Sequence, residues 1–243
     1  MLESVAITDI GKKRKLNQDH VYATREKIGN LPNVFIVTDG MGGHNGGELA
    51  SKWTCEFMLS EIAELTESDP KEILEKAVQA ANIKIRQKAK ENAELYGMGT
   101  TVVCATIDEG RLSIANVGDS RLYWADPTSK TIRQITRDHS LVEEMIRMGG
   151  MEKEAAKNHP DKHIITRAIG AKDRLVIDSF YEELNQGEIV LLCSDGLSNM
   201  LDDEEIGGIL YSDDDINEKA NQLIKAANDN GGKDNIAVIL IKI

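Results

Sequence analysis

The sequence predicts an α+β domain whose strands gather into antiparallel sheets with helices packed outside them, and three observations carry that expectation. The first is the character of the strand segments. Val34-Phe35-Ile36-Val37-Thr38, Ile189-Val190-Leu191-Leu192-Cys193-Ser194 and Ile236-Ala237-Val238-Ile239-Leu240-Ile241 are short, apolar and bounded by glycine and aspartate, as buried strands are. The second is their order: a strand-rich start, two long helical patterns, a run of strands, then helices interspersed before a final strand. No repeated βαβ rhythm appears, which argues against a Rossmann-like parallel sheet. The third is size: 243 residues, 41% hydrophobic and 29% charged, suit one large domain with a substantial core better than two small ones. There is no linker-like tract and no internal repeat, so the expected unit is a single domain over residues 1–243.

Taken in order, strands are expected over 4–9 and 33–38, then helices over about 46–65 and 70–94. The second helix has the clearest pattern, with Ile73, Leu74, Ala77, Val78, Ala81 and Ile85 on one face and Lys and Glu opposite. Ser68-Asp69-Pro70 starts it, since proline suits a first turn. Strands follow over 101–107, 111–118, 121–125 and 131–135, and a helix over 140–148. Residues 146–174 hold few apolar side chains and read as a surface flap, the kind of long irregular segment that often carries function. Strands over 175–181 and 188–194, helices over 202–211 and 215–229, and a strand over 235–242 complete the chain. Ile216, Ala220, Leu223, Ile224 and Ala227 line one face of the last helix, which Asn230-Gly231-Gly232 stops.

The start of the chain has no charged-then-apolar signal segment, and no apolar run approaches the ~20 residues of a membrane span. The expectation is therefore a cytoplasmic protein without a membrane partner. Net charge is −12, from 41 acidic against 29 basic residues, which argues against nucleic acid as a partner. Cys55, Cys104 and Cys193 are odd in number and widely spaced, with no CxxC pattern. Buried free thiols are expected rather than a zinc site.

Chemistry enters where apolar runs meet aspartate. The first strand of the trio runs into Asp39-Gly40 and the second into Asp195-Gly196, while Gly232-Lys233-Asp234-Asn235 leads into the third. If the last strand lies antiparallel to the other two, Asp39, Asp195 and Asp234 meet at one rim. Carboxylates gathered there repel one another unless cations lie between them, so a hard-metal site is the leading idea. Asp-Gly is also a strong hairpin signal, but neither pair here precedes a second strand pattern. Asp39-Gly40 leads through Met41-Gly42-Gly43-His44 to a helix, and Asp195-Gly196 leads to an acidic stretch.

Near the N-terminus, Gly11-Lys12-Lys13-Arg14-Lys15-Leu16-Asn17-Gln18-Asp19 is dense in positive charge. The lysines suit a solvated loop, whereas the planar fork of arginine can anchor phosphate. Gly99-Thr100-Thr101 opens a strand, Gly118-Asp119-Ser120-Arg121 suits a hairpin turn, and Asp138 or Ser140 in Arg137-Asp138-His139-Ser140 suits a helix cap.

Together these blocks resemble the metal-dependent serine/threonine protein phosphatases of type 2C, in particular the compact bacterial subgroup. The resemblance also takes in Asn116-Val117-Gly118-Asp119-Ser120-Arg121, Thr166-Arg167-Ala168-Ile169-Gly170 and Ser194-Asp195-Gly196-Leu197, so it spans almost the whole chain. It implies a central β-sandwich of two antiparallel sheets flanked by α-helices on both outer faces. A flap at about 146–170 would lie near the metal site of a single phosphatase catalytic domain. It implies two Mn²⁺ or Mg²⁺ ions: Asp39 bridging both, the Gly40 carbonyl on one, Asp195 and Asp234 on the other side, and Asp19 on metal-bound water. A third, weaker ion would involve Asp119, and Arg14 would grip the substrate phosphate. The implied reaction is direct attack on phosphoserine or phosphothreonine by a metal-bridging hydroxide, with phosphorylated proteins as substrates and a bacterial serine/threonine kinase as counterpart. An all-oxygen ligand set suits Mg²⁺ or Mn²⁺ rather than zinc.

The sequence departs from the wider family in places. Met41 stands where animal-type members carry a histidine proposed as general acid, leaving His44 or a metal-bound water as the proton donor. Gln18 replaces a more usual glutamate, and His163 stands where asparagine is more common. Two rival readings keep the fold and change the activity: a phosphoprotein-binding pseudo-phosphatase, whose signature would be a lost metal ligand, and a phosphatase of small metabolites. A lone catalytic domain is expected to be a monomer.

Overall fold

The structure is a computed structural model, and the description takes in residues 2–42, 46–152, 155 and 159–243. Its strands form two antiparallel sheets. The first has the order β1 (Glu3–Asp9), β11 (Ile236–Lys242), β10 (Ile189–Cys193), β7 (Arg121–Asp126), β8 (Thr131–Gln134). The second has the order β2 (Asp19–Thr24), β3 (Val34–Met41), β5 (Val102–Asp108), β6 (Arg111–Val117), β9 (Asp178–Glu183), with short β4 (Gly99–Thr100) paired to the end of β3.

Period-two alternation explains why the central strands read as unbroken apolar runs. Val190, Leu192, Ala237, Ile239 and Ile241 face Phe35, Val37, Val103, Leu112 and Ile114 in the layer between the sheets. Their neighbours Leu191, Cys193, Val238 and Leu240 point outward against α4 (Asp195–Ser198), α5 (Asp203–Leu210) and α6 (Ile216–Asp229). On the other side, Ile36, Cys104, Ala115 and Val117 pack on α1 (Gly46–Glu64) and α2 (Pro70–Glu91). The result is four layers, helix–sheet–sheet–helix, as expected for a sandwich buried on both faces of each sheet. At about 0.8 kcal/mol per buried methylene, this three-part core is what fixes the strand ends. α3 (Leu141–Arg147), capped by the Ser140 side chain accepting from Glu143 N–H, lies apart from these layers.

Three expectations need correction. The chain over 19–24 forms a strand that the sequence pattern did not indicate. As an edge strand its side chains are mostly half-buried, so it lacks the apolar density of its neighbours. The strand expected over 175–181 begins at Asp178 and runs to Glu183; Leu175 and Ile177 instead pack against the α2 side of the core before pairing begins. The second helix stops at Glu91, where Asn92 accepts from Glu94 N–H and starts a separate short turn, Ala93–Leu95. All three cysteines are free and buried, and burial pushes each thiol up to about 12. No described helix is long and apolar enough to cross a membrane.

Candidate metal centre

The rim expected from the sequence exists, but it is built from two sheets rather than one. β10 and β11 are antiparallel neighbours in the first sheet, so the residue after one and the residues before the other share an end. β3 belongs to the second sheet, where Asp39 lies directly across from Asp19 on β2. Direct antiparallel partners hold their Cβ atoms about 5 Å apart. The missed strand thus places Asp19 against Asp39, and stacking of the sheets brings both towards Asp195 and Asp234. Asp119 joins from the turn between β6 and β7.

Electrostatics record how close these groups are. Burial pushes the Asp19 carboxyl up to about 8, with Asp195 and Asp234 adding to the rise and a hydrogen bond from Ser194 opposing it. Asp39 is held well above the ordinary carboxylate range, first by burial and then by Asp19, Asp195, Asp119 and Asp234. Burial and then Asp195 and Asp138 push Asp119 up to about 8, and burial with Asp234 raises Asp195. Five acids from both sheets therefore share one field.

The backbone around them is tightly held. Thr100 Oγ1 and Thr101 N–H both donate to the Asp39 carbonyl, at 2.8 and 2.9 Å, and Asp39 N–H donates to Thr101 Oγ1 at 3.0 Å. Ser194 Oγ donates to Asp19 Oδ2 at 2.6 Å and accepts from Ala237 N–H at 2.9 Å, so one hydroxyl ties β10, β11 and β2 together. Asn235 accepts from Gln18 N–H and donates to the carbonyls of Ile10 and Leu16, each at 2.9 Å, welding the basic loop to the Asp234 turn. At Gly40, a Cβ would lie 2.0 Å from the Gly47 carbonyl oxygen, so the start of α1 abuts the Asp39-Gly40 segment. Of these supports, Ser194, Thr100, Thr101 and Asn235 stood inside the sequence motifs without an assigned role. Each is a small polar residue beside a buried strand end, and that was the available signal.

Arg14 NH2 pairs with Asp234 Oδ2 at 2.7 Å, which sets a cationic fork at the acidic rim. Asp138 grips Arg121 through Nε and NH2, with 2.7 Å to NH2, so its role is structural support rather than a helix cap. His163 lies near enough to Asp195 to oppose the rise in its pKa. His44, the candidate proton donor, lies outside the described residues, as does part of the expected flap, 153–154 and 156–158.

The donor chemistry fits hard divalent cations. The gathered side chains are carboxylates, they repel one another, and backbone carbonyls lie beside them, an oxygen set suited to Mn²⁺ or Mg²⁺. Among the described residues, no three acidic, histidine or cysteine side chains close on one point. The structure brings together Asp19, Asp39, Gly40, Asp119, Asp195 and Asp234, with Arg14 beside them.

A two-sheet sandwich flanked by helices with an acidic rim at the strand ends defines a class, and comparison with known proteins places the chain within it. Residues 11–240 match the family described as Protein phosphatase 2C. The serine/threonine phosphatase stp of Listeria welshimeri is 41% identical over 239 residues, covering 97% of this chain and 93% of the relative. Among solved structures, Stp1 from Staphylococcus aureus superimposes with a TM-score of 0.92 at 36% identity, over 100% of this chain and 95% of that one. The catalytic domain of the phosphatase PstP in complex with two manganese ions gives a TM-score of 0.85 at 31% identity, over 99% of this chain and 97% of that one. The chain belongs to the protein phosphatase 2C family. It is an enzyme, a protein phosphatase, with the fold that the sequence resemblance implied.

Proposed function

We propose that the chain hydrolyses phosphoserine and phosphothreonine in proteins, with Asp39 at the centre of a divalent-metal site and Arg14 as the phosphate anchor. The observation that carries this is the meeting of Asp19, Asp39, Asp119, Asp195 and Asp234 at one end of the sandwich. Two Mn²⁺ or Mg²⁺ ions, with a third weaker one, would be held by Asp39, the Gly40 carbonyl, Asp195, Asp234 and Asp119. When bound, they supply the positive charge that activates water and balances the charge developing on the phosphoryl oxygens. The residues of the chain do the rest. Arg14, paired with Asp234, offers its fork to an incoming phosphate. Ser194 keeps Asp19 oriented across from Asp39, and Thr100 and Thr101 fix the Asp39 backbone. His44 is the proposed proton donor to the leaving alkoxide. No cysteine is placed for a phosphoenzyme, because all three thiols are buried in the helix-facing layers.

The complete acid set favours an active enzyme over a pseudo-phosphatase. Support for protein substrates comes from the relatives named as serine/threonine phosphatases. The finer assignment is a cytoplasmic, monomeric signalling phosphatase acting as one catalytic domain opposite a bacterial kinase. The test is phosphate release from a phosphothreonine peptide and from a small phosphate ester, with Mn²⁺ or with EDTA, for the wild type and Asp39→Asn. Peptide turnover that needs Mn²⁺ and falls by at least about 100-fold in the variant is expected. Turnover that survives both EDTA and the substitution would overturn the metal reading, and preference for the small ester would overturn the protein-substrate reading.

A further inference from the structure

Outside the acidic rim, a second polar cluster sits where the flap leaves and rejoins the sandwich. His139 is 4% exposed. Its Nδ1 accepts the Gly118 N–H at 3.0 Å, and an amide can only donate, so Nδ1 carries no proton. The ring proton is therefore on Nε2, which donates to Asp178 Oδ2 at 3.1 Å. The other oxygen of Asp178 accepts from Arg167 NH1 at 2.7 Å. Backbone bonds duplicate the connection: His139 N–H donates to the Gly118 carbonyl at 2.9 Å, and Thr166 N–H to the His139 carbonyl at 2.7 Å. Ile169 in turn exchanges backbone hydrogen bonds with Thr100, whose hydroxyl holds the Asp39 carbonyl.

We propose that His139 is a positioning residue for Asp119: its imidazole, braced by Asp178 and Arg167, holds the Gly118 amide and so sets where the next carboxylate stands at the rim. The proposal rests on the reading of Asp119 as a ligand of the weaker metal. Gly118 sits at φ +111, and a Cβ there would lie 2.6 Å from Thr101 Cβ. The turn is thus confined on the Thr101 side by packing and on the other by His139. Asp119 follows with no regular secondary structure of its own. The same imidazole joins Asp119 to both roots of the flap, one through its own backbone and one through Arg167.

The two ring nitrogens can be separated by substitution. His139→Asn keeps an acceptor where Nδ1 stands and loses the reach to Asp178. His139→Gln keeps the reach and leaves the Gly118 amide without its acceptor. In full-length protein, hydrogen exchange should show the Gly118 amide protected in wild type and Asn and exposed in Gln. In calorimetric titration, the weakest Mn²⁺ step should remain within a few-fold of wild type in Asn and weaken by about 10–100-fold in Gln, the usual range for groups that support a metal ligand. Adding Asp119→Asn to the Gln variant should weaken that step no further than Asp119→Asn alone. Equal behaviour of Asn and Gln in exchange, or multiplicative losses in the double variant, would overturn the proposal. Should Gln fail to fold, an Asn variant with a normal melt but an unprotected Gly118 amide would do so. An unchanged Mn²⁺ titration in Asp119→Asn would overturn only the metal reading of that residue, and the exchange pattern would still decide the role of His139.

Discussion

Asp19→Asn separates what the acidic rim costs in stability from what it provides in function. Asp19 is 6% exposed, and burial, with Asp195 and Asp234, pushes it from the ordinary value of 3.8 up to about 8. An acid whose folded pKa lies above its unfolded one binds more protons when folded. Stability is therefore lost as pH climbs through that interval, and the loss is complete above the folded value. At 1.36 kcal/mol per pH unit, an interval of about four units sets an upper bound of roughly 5–6 kcal/mol. Relaxation of the neighbouring carboxylates and of water at the open rim reduces this, and about 2–3 kcal/mol is expected at pH 8. Asparagine retains an oxygen for Ser194, so the hydrogen bond to its hydroxyl need not be lost. For a chain of this size each kcal/mol moves Tm by about 2–4 °C. In EDTA at pH 8, Asp19→Asn should melt about 5–10 °C above wild type, with the difference shrinking towards pH 5. Millimolar Mn²⁺ should raise the wild-type Tm more than that of the variant, because binding to the folded state stabilises by mass action. A variant that melts lower than wild type in EDTA at pH 8, or a difference independent of pH, would refute the reasoning.

Two further outcomes follow from contacts at the same rim. Gly40→Ala drives a methyl into the Gly47 carbonyl, which would lie 2.0 Å away; backbone must move on both sides, and a loss above about 3 kcal/mol in urea unfolding is expected. Arg14→Ala removes an exposed ion pair to Asp234, so Tm should shift by less than about 1 kcal/mol in equivalent stability, while KM for a phosphopeptide rises about tenfold or more from the lost charged contacts to phosphate.

Most of the sheet was legible because burial on both faces leaves no room for polar residues. β10 and β11 read as strands from composition alone, and the aspartates at their ends stood out against it. β2 was not legible for the converse reason. Its residues Asp19 to Thr24 are mostly half-buried at an edge, and it begins inside a polar loop. Yet it carries Asp19 directly across from Asp39, so a half-buried edge strand sets a like-charge pair at the rim. Sheet membership was hidden as well. Three aspartates at strand ends suggest one rim of one sheet, and nothing local says that β3 pairs with β2 and β5 rather than with β10. That choice is made by long-range packing of Phe35 and Val37 against Leu192 and Ile239. In the sequence His139 stands out only as part of a capping segment, because its partners Gly118, Arg167 and Asp178 are brought together by the fold.

The placement of the acids at the end of a sandwich has a physical logic. Like charges spread apart if their backbone can yield, and a loop would let them. Here Asp39 lies near the end of a strand locked by α1 on one face and by the opposite sheet on the other, while Asp195 and Asp234 are fixed by Ser194 and Asn235 to the same sheet ends. The apolar layers thus hold in place a repulsive cluster that burial alone would disperse or protonate. Divalent cations are the agents that turn that repulsion into attraction, so the raised pKa values of Asp19 and Asp119 and the expected need for metal have one cause. A core weakened beneath the rim, for example by Val37→Ala, would then lower metal affinity without touching a ligand.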